Sequence, residues 1–140
     1  MALQMTSEQV MALIDREFPQ VSGEFTIETL KEMQATVRLN VGERHLRPGG
    51  TVSGPSIFAL ADCAMYMVLL GMIGPKALAV TTNCSIDFMR KPAAATDLIA
   101  ECRLLKLGRV LAVGDVLIRS EGSDASVARA SLTYSIPPER

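Results

Sequence analysis

Pro55–Gly74 reads PSIFALADCAMYMVLLGMIG, apolar almost throughout, with one acidic residue, Asp62, near its middle. Asp62 is also the one charged side chain anywhere between Pro48 and Pro75. A carboxylate in such company is costly to bury unless it finds partners, so it asks for a reason. The run follows a loop rich in glycine and proline, RPGGTVSGPS (Arg47–Ser56). Pro55 suits a first helical position, where its missing N–H costs nothing. Gly74-Pro75 stops a helix. The stretch therefore predicts a helix over about Gly54–Met72, apolar all round and in need of enclosure. It is long enough to cross a bilayer. However, a charge at its centre costs about 2.5–3.5 kcal/mol on insertion scales, and no basic cluster flanks it. A helix buried in a protein core is the better reading.

Outward from this helix the periodicity changes. Upstream, Thr6 or Ser7 can cap a first helix, and Thr6 with Gln9 fits a capping box. Val10, Leu13, Ile14 and Phe18 then share one face, and Pro19 ends it. Met33, Ala35, Val37, Leu39 and Val41 alternate with polar residues, as in a half-buried strand, and Phe25–Leu30 is a weaker neighbour. Downstream, Leu78, Val80, Thr82, Cys84, Ile86 and Phe88 alternate along another strand. Leu98–Leu107, Val110–Arg119 and Ala125–Ile136 follow, separated by Gly108-Arg109 and Glu121–Asp124. Short links between the last four strands favour antiparallel hairpins. The order predicts an α+β fold in which one sheet of five to six strands curls around the long helix. Its rear stays open unless a second subunit or the N-terminal helix covers it.

The totals bound the function. A chain of 140 residues suits one domain, 1–140, with residues 1–22 as an N-terminal helical extension. The formal net charge of −1, with scattered Arg and Lys, gives no electrostatic case for nucleic acid or an anionic membrane. The three cysteines, Cys63, Cys84 and Cys102, lack metal-binding spacing and argue for a reducing compartment. The N-terminus lacks the pattern of a signal peptide, and the expected location is the cytoplasm. His45 is the only histidine. It excludes a histidine-cluster metal site, and its expected place in a mobile loop argues against Cys–His or Ser–His–Asp catalysis. Cys63 lies about 100° around the helix from Asp62 and reads as a core thiol. Met65, Met67, Met72 and Met89 read first as core packing.

The loop, the LAD of the helix (Leu60-Ala61-Asp62), the strand VTTNCSIDFMRKP (Val80–Pro92) and the turn LGR (Leu107–Arg109) together resemble the hotdog-fold acyl-CoA thioesterases of the phenylacetic-acid-degradation (PaaI-like) type. The likeness spans roughly Met33 to Tyr134. In that family a His-Gly-Gly turn opens the central helix, and an acid sits eight residues after the first glycine. Gly54 and Asp62 match that glycine and acid. A Ser or Thr of the next strand falls on Thr81. Ser53 stands where the family has histidine, Pro55 where it has a second glycine, and Arg47 where an asparagine is common. The resemblance implies a catalytic set of Asp62, Gly54 and Thr81. Arg47, Ser53, Pro55 and Asn83 would line the substrate site, and Arg90, Lys91 and Arg109 would hold the phosphates of coenzyme A. Taken singly, these three cations read as solvated strand ends, and Thr81 and Asn83 as ordinary strand residues.

The residue types suit thioester cleavage. The reaction needs an attacking oxygen and a donor for the developing oxyanion. It asks little of a general acid, because a thiol of pKa about 8.5 leaves readily. N–H groups at a helix start supply such donors, and with Pro55 contributing none, Gly54 N–H is the main candidate. Asp62 is either the general base for water or the nucleophile. Thr81 or Tyr66 could hydrogen-bond it. Eight residues of helix separate Gly54 from Asp62 by about 12 Å, too far for both to serve one carbonyl. A composite site in a homodimer or homotetramer is the expectation, and the resemblance implies the same. No metal or redox cofactor is expected. The alternative from another class is a non-catalytic acyl-CoA-binding or sensing protein. A hydratase would need a helix-borne histidine–acid pair, which this sequence lacks.

Overall fold

The computed structural model describes residues 2–138. Helix α1 (Ser7–Glu17) opens on the predicted capping box. Thr6 Oγ1 accepts from Gln9 N–H at 3.2 Å and Thr6 N–H donates to Gln9 Oε1 at 2.9 Å. Val10, Leu13 and Ile14 are buried, whereas Phe18, at the C-cap, stays partly exposed. Strands β1 (Phe25–Lys31) and β2 (Gln34–Leu39) form a hairpin closed by Glu32-Met33. The alternation assigned Met33 to the strand, but it takes a left-handed φ of 64° in the turn. Such a backbone is unfavourable for a side chain of this size. Two tertiary bonds hold it: its N–H reaches Met72 Sδ at 3.2 Å and its carbonyl accepts from Leu104 N–H at 2.8 Å.

Helix α2 (Gly54–Ile73) follows, then β3 (Val80–Phe88), β4 (Leu98–Leu107), β5 (Leu111–Ser120) and β6 (Ser126–Ser135). All ladders are antiparallel, and the six strands form one sheet in the order β1-β2-β4-β5-β6-β3. Each strand of the sheet contacts α2. This is the hotdog arrangement, a helix wrapped by a curved sheet. From Cys63 to Met72 the helix is buried on every side. Its first half is not: Pro55 and Phe58 are exposed, and Ser56, Ala59 and Asp62 are half-buried. Complete enclosure, the expectation from composition, therefore holds for the C-terminal half alone.

Two features of the sheet position the site. Strand β3 is an edge, hydrogen-bonded to β6 on one side only. It also carries a bulge: Thr81 pairs with Tyr134 and Asn83 with Thr133, which leaves Thr82 as the extra residue. A bulge reverses the alternation beyond it. Cys84, Ile86 and Phe88 keep the phase of buried Leu132, Ala130 and Ala128, and Thr81 joins them through its pairing with buried Tyr134. The single face read from Leu78 through Phe88 is corrected accordingly. Leu78, Val80 and Thr82 are exposed and out of step with Cys84.

The N-terminal helix packs on β1 and α2, so it does not cover the rear of the sheet. There Leu105 and Leu117 remain 55% and 52% exposed. The segment before α2 is ordered by its own bonds. His45, expected in a mobile loop, is instead 5% exposed in a 3-10 turn (Glu43–His45). Its Nδ1 accepts from Gly42 N–H at 2.8 Å, which makes Nε2 the protonated nitrogen, donating to Glu24 Oε1 at 2.6 Å. Arg44 pairs with the same carboxylate. Leu46 then bridges Val52, and Gly49 and Gly50 take left-handed φ values of 101° and 81° in the turn between them.

Helix and sheet approach closely at Gly114 of β5. A Cβ there would lie 2.6 Å from Met65 Sδ and 3.0 Å from the Arg103 carbonyl. The backbone atom cannot be displaced as a side-chain tip can. Gly114→Ala is expected to lower stability by about 1–3 kcal/mol, read as a drop in the urea midpoint at unchanged slope.

Candidate active site

Asp62 lies midway along α2, half-buried, where the exposed stripe of the helix gives way to its enclosed half. Two hydroxyls meet one of its oxygens. Thr81 Oγ1 donates to Oδ1 at 2.5 Å, and Tyr134 Oη donates to the same atom at 2.8 Å while lying 3.1 Å from the Asp62 carbonyl. These donors are opposite each other in the β3–β6 ladder, so their side chains leave the sheet side by side on the face toward α2. The bulge at Thr82 puts Thr81 on that face. Without it Thr81 would fall in phase with Ser85 and Asp87, which line the outer groove of the sheet.

Among the described residues, none donates a hydrogen bond to the second oxygen, Oδ2. Among the described residues no fully buried side-chain oxygen or nitrogen lacks a partner. Oδ2 therefore reaches the surface. Asp62 presents one pinned oxygen and one open one.

Of the sequence-based candidates for donors to Asp62, Thr81 is in place and Tyr66 is not. Tyr66 Oη donates to the Ala77 carbonyl at 2.7 Å, and its ring stacks on Tyr134 at 6.1 Å between centroids. Tyr134 went unread in the sequence. Its signal was there, however: it keeps the two-residue phase of Ala128, Ala130 and Leu132, which puts a hydroxyl on an otherwise aliphatic row facing the helix. Burial, and then the Asp62 charge, hold the Tyr134 phenol far above its usual pKa, so it stays a donor. Burial likewise pushes the Cys63 thiol up to about 12, which keeps it un-ionised and inert as a nucleophile.

At the start of α2 the main-chain donors can be accounted for one by one. Ser53 N–H donates to the His45 carbonyl at 2.8 Å, and Ile57 N–H to the Ser53 carbonyl at 3.0 Å. Ser56 N–H donates to Ser53 Oγ at 3.3 Å. Pro55 has no N–H. A first-turn N–H has no acceptor within its own helix, and among the described residues none accepts from Gly54 N–H, the one donor of this turn left uncommitted. Gly54 is half-buried, and a Cβ there would meet the Phe88 ring at 3.6 Å. Ser53, expected to touch substrate, spends its hydroxyl as the N-cap, donating onward to Ser56 Oγ at 3.1 Å.

The remaining candidates are scattered over the chain. Arg47 is exposed and turns back to the Pro48 carbonyl at 3.3 Å. Asn83 is exposed and in step with Ser85 and Asp87, pointing away from Asp62. Arg90 and Lys91 are exposed just beyond the end of β3. Arg109 is exposed in the β4–β5 turn, beside the opposite end of that strand, since Leu111 and Val80 both register with Ser135. A nine-residue strand puts the two groups about 25–30 Å apart.

Comparison with known proteins agrees with this architecture. The thioesterase superfamily pattern matches residues 49–127, from the loop before α2 into β6. A candidate thioesterase from Silicibacter sp. TM1040 is 58% identical, with 99% of this chain and 96% of that one covered at a TM-score of 0.92. A mutant form of the phenylacetic acid degradation protein PaaI from Thermus thermophilus is 27% identical over 85% of this chain and 99% of that one, at a TM-score of 0.71. A hypothetical thioesterase from Streptococcus pneumoniae, solved with coenzyme A, shares the fold at 21% identity and a TM-score of 0.77, with 93% of this chain and 98% of that one covered. No match was found among curated protein sequences. With the helix, the bulged strand and the acid in the positions described, the chain belongs to the thioesterase superfamily and is a PaaI-like hotdog protein.

Proposed function

We propose that the protein hydrolyses an acyl-CoA or aroyl-CoA thioester to the free acid and coenzyme A, at a site shared between two protomers. The observation that carries this reading is the carboxylate of Asp62, with one oxygen bonded by Thr81 and Tyr134 and the other open. The thioester carbonyl oxygen would accept from Gly54 N–H, the uncommitted donor at the positive end of α2. Asp62 Oδ2 would take a proton from water as that water adds to the carbonyl carbon. The tetrahedral adduct then collapses, the C–S bond breaks, and the thiolate leaves and recovers the proton. The same geometry permits direct attack by Oδ2, with water cleaving the resulting anhydride. Neither route requires a metal or redox cofactor. Coenzyme A as the carrier is supported by its presence in the Streptococcus structure, which shares this fold. The three cysteines are free, which fits the reducing cytoplasm.

Topology supports the composite site. In one protomer α2 crosses β3 so that Gly54 lies by Phe88 and Asp62 by Thr81. Antiparallel pairing of two copies of β3 about a two-fold axis reverses this order between subunits. It brings the Asp62 end of one protomer toward the partner's Gly54. It also brings Arg90 and Lys91 toward the partner's Arg109, which closes the long gap among the expected phosphate-binding cations. The surface such a partner would cover is apolar: Phe58, Val80, Phe88 and Met89 are 39%, 55%, 53% and 50% exposed. A homodimer, or a homotetramer built from it, is therefore the proposed assembly.

One observation favours a second reading, an acyl-CoA-binding or sensing protein without turnover. Pro55 offers no N–H and Ser53 is committed as a cap, so this helix start supplies one oxyanion donor. Tight binding of coenzyme A with no thiol released across short, long and aromatic thioesters would select it.

Three measurements test the main reading. Asp62→Asn should cut thiol release from the best acyl-CoA by about 10³-fold or more, with an unchanged melting temperature. Retained turnover would remove Asp62 from the chemistry. Val80→Lys, on the open edge of β3, should shift sedimentation toward the monomer and lose activity with it. A fully active monomer would exclude the shared site. Removing the charges of Arg90, Lys91 and Arg109 together should weaken binding of coenzyme A by about 10-fold or more and bring its affinity down to that of the form lacking the 3′-phosphate. Equal losses for both ligands would exclude these cations as the 3′-phosphate site.

A further inference from the structure

Tyr134 has no role in the reaction just proposed, yet it is the most enclosed polar contact of the reacting carboxylate, at 3% exposure. We infer that Tyr134 is a positioning residue that, with Thr81, locks the carboxylate of Asp62 so that Oδ2 faces the substrate. The inference rests on the thioesterase reading of Asp62.

An aspartate carboxylate turns easily about its last bond, because that torsion is broad and two-fold. Left alone, Asp62 would exchange its two oxygens and sample orientations unsuited to attack. Two donors on a single oxygen remove this freedom. Thr81 Oγ1 and Tyr134 Oη approach Oδ1 at 2.5 and 2.8 Å from adjacent strands, so rotating the group would break both bonds together. Neither donor is itself free to drift. Thr81 is held by the bulged ladder against β6, and the Tyr134 ring by its stacking on Tyr66, whose own hydroxyl is tied to Ala77. The result is a chain of fixed groups from Ala77 through both tyrosines to the carboxylate.

A purely structural role for Tyr134 would be to join β6 to α2 through the Asp62 carbonyl, which lies 3.1 Å from Oη. The two roles differ in what the hydroxyl controls. A tie between elements affects stability, whereas orientation of Oδ2 affects turnover and leaves substrate binding alone. Misplacing a reacting group by about 1 Å can cost about 10²-fold in rate.

The test is steady-state kinetics on Tyr134→Phe, which keeps the ring and its stack. The expected result is kcat lower by about 10- to 100-fold with KM within about 3-fold of the parent. Thr81→Val should show a similar loss, Thr81→Ser should recover most of it, and the double variant Thr81→Val/Tyr134→Phe should lose less than the product of the single losses. If Tyr134→Phe fails to fold, 4-methylphenylalanine at position 134 fills the space of the hydroxyl without donating, and the same loss is expected. A kcat within 2-fold of the parent for either replacement, with Asp62→Asn inactive, overturns the role of Tyr134 and leaves the thioesterase reading standing. Full turnover by Asp62→Asn would end both.

Discussion

A carboxylate oxygen shared by two hydroxyls joins the helix of this protein to its sheet. The helix must be apolar to sit inside the sheet, and in the proposed reaction it must also carry an acid. These demands conflict, because an ionised group is poorly tolerated in a dry core. Asp62 lies at the boundary between the open and enclosed halves of α2. Toward the core its Oδ1 is solvated by Thr81 and Tyr134 in place of water, and toward the surface its Oδ2 stays free. The acid is thus compensated on one side and available on the other.

Local irregularity supplies that compensation. A regular β3 would turn Thr81 to the outer face and leave Oδ1 with one donor. One extra residue, Thr82, re-aims it. Thr82 is itself tied down, its hydroxyl donating to the Thr133 carbonyl at 3.3 Å. The N-terminus of α2 is organised by similar economy. Proline and an N-cap serine consume or delete every first-turn donor but that of Gly54.

Most of the fold was legible in the sequence, because its signals are collective. A run of twenty mostly apolar residues, opened by Ser-Gly-Pro and closed by Gly-Pro, reads as one buried helix, and alternation marked each strand to within a few residues. The acid was legible for the same reason, as the one charge in the run. What escaped depends on single residues and on contacts between distant ones. Alternation assumes an unbroken ladder, so it cannot see the bulge and put Val80 and Thr82 on the face that Thr81 joins instead. Composition cannot show that His45 is buried, because its partners, Glu24 and Gly42, come from either side of a hairpin. Tyr134 is 72 residues from Asp62, and only the sheet order brings them together.

The proposed dimer would give the edge position of β3 a reason. A strand with one unpaired side, apolar residues along it and the proposed reacting groups near its two ends is a liability for a chain that stays alone. The chain keeps its acid and its free amide on the same helix, about 12 Å apart and too far to serve one carbonyl together. The proposed head-to-tail pairing of two edges would remove both problems at once, since it would bury the exposed strand and set each acid opposite the other subunit's amide. The bulge strengthens this argument. It lies at the Asp62 end of β3, where the strand turns Thr81 inward and so keeps the Asp62 carboxylate braced from its own sheet. In the proposed dimer the partner would supply what one chain lacks, an amide and a wall. The separation that would leave one chain incomplete would then let two chains form two sites.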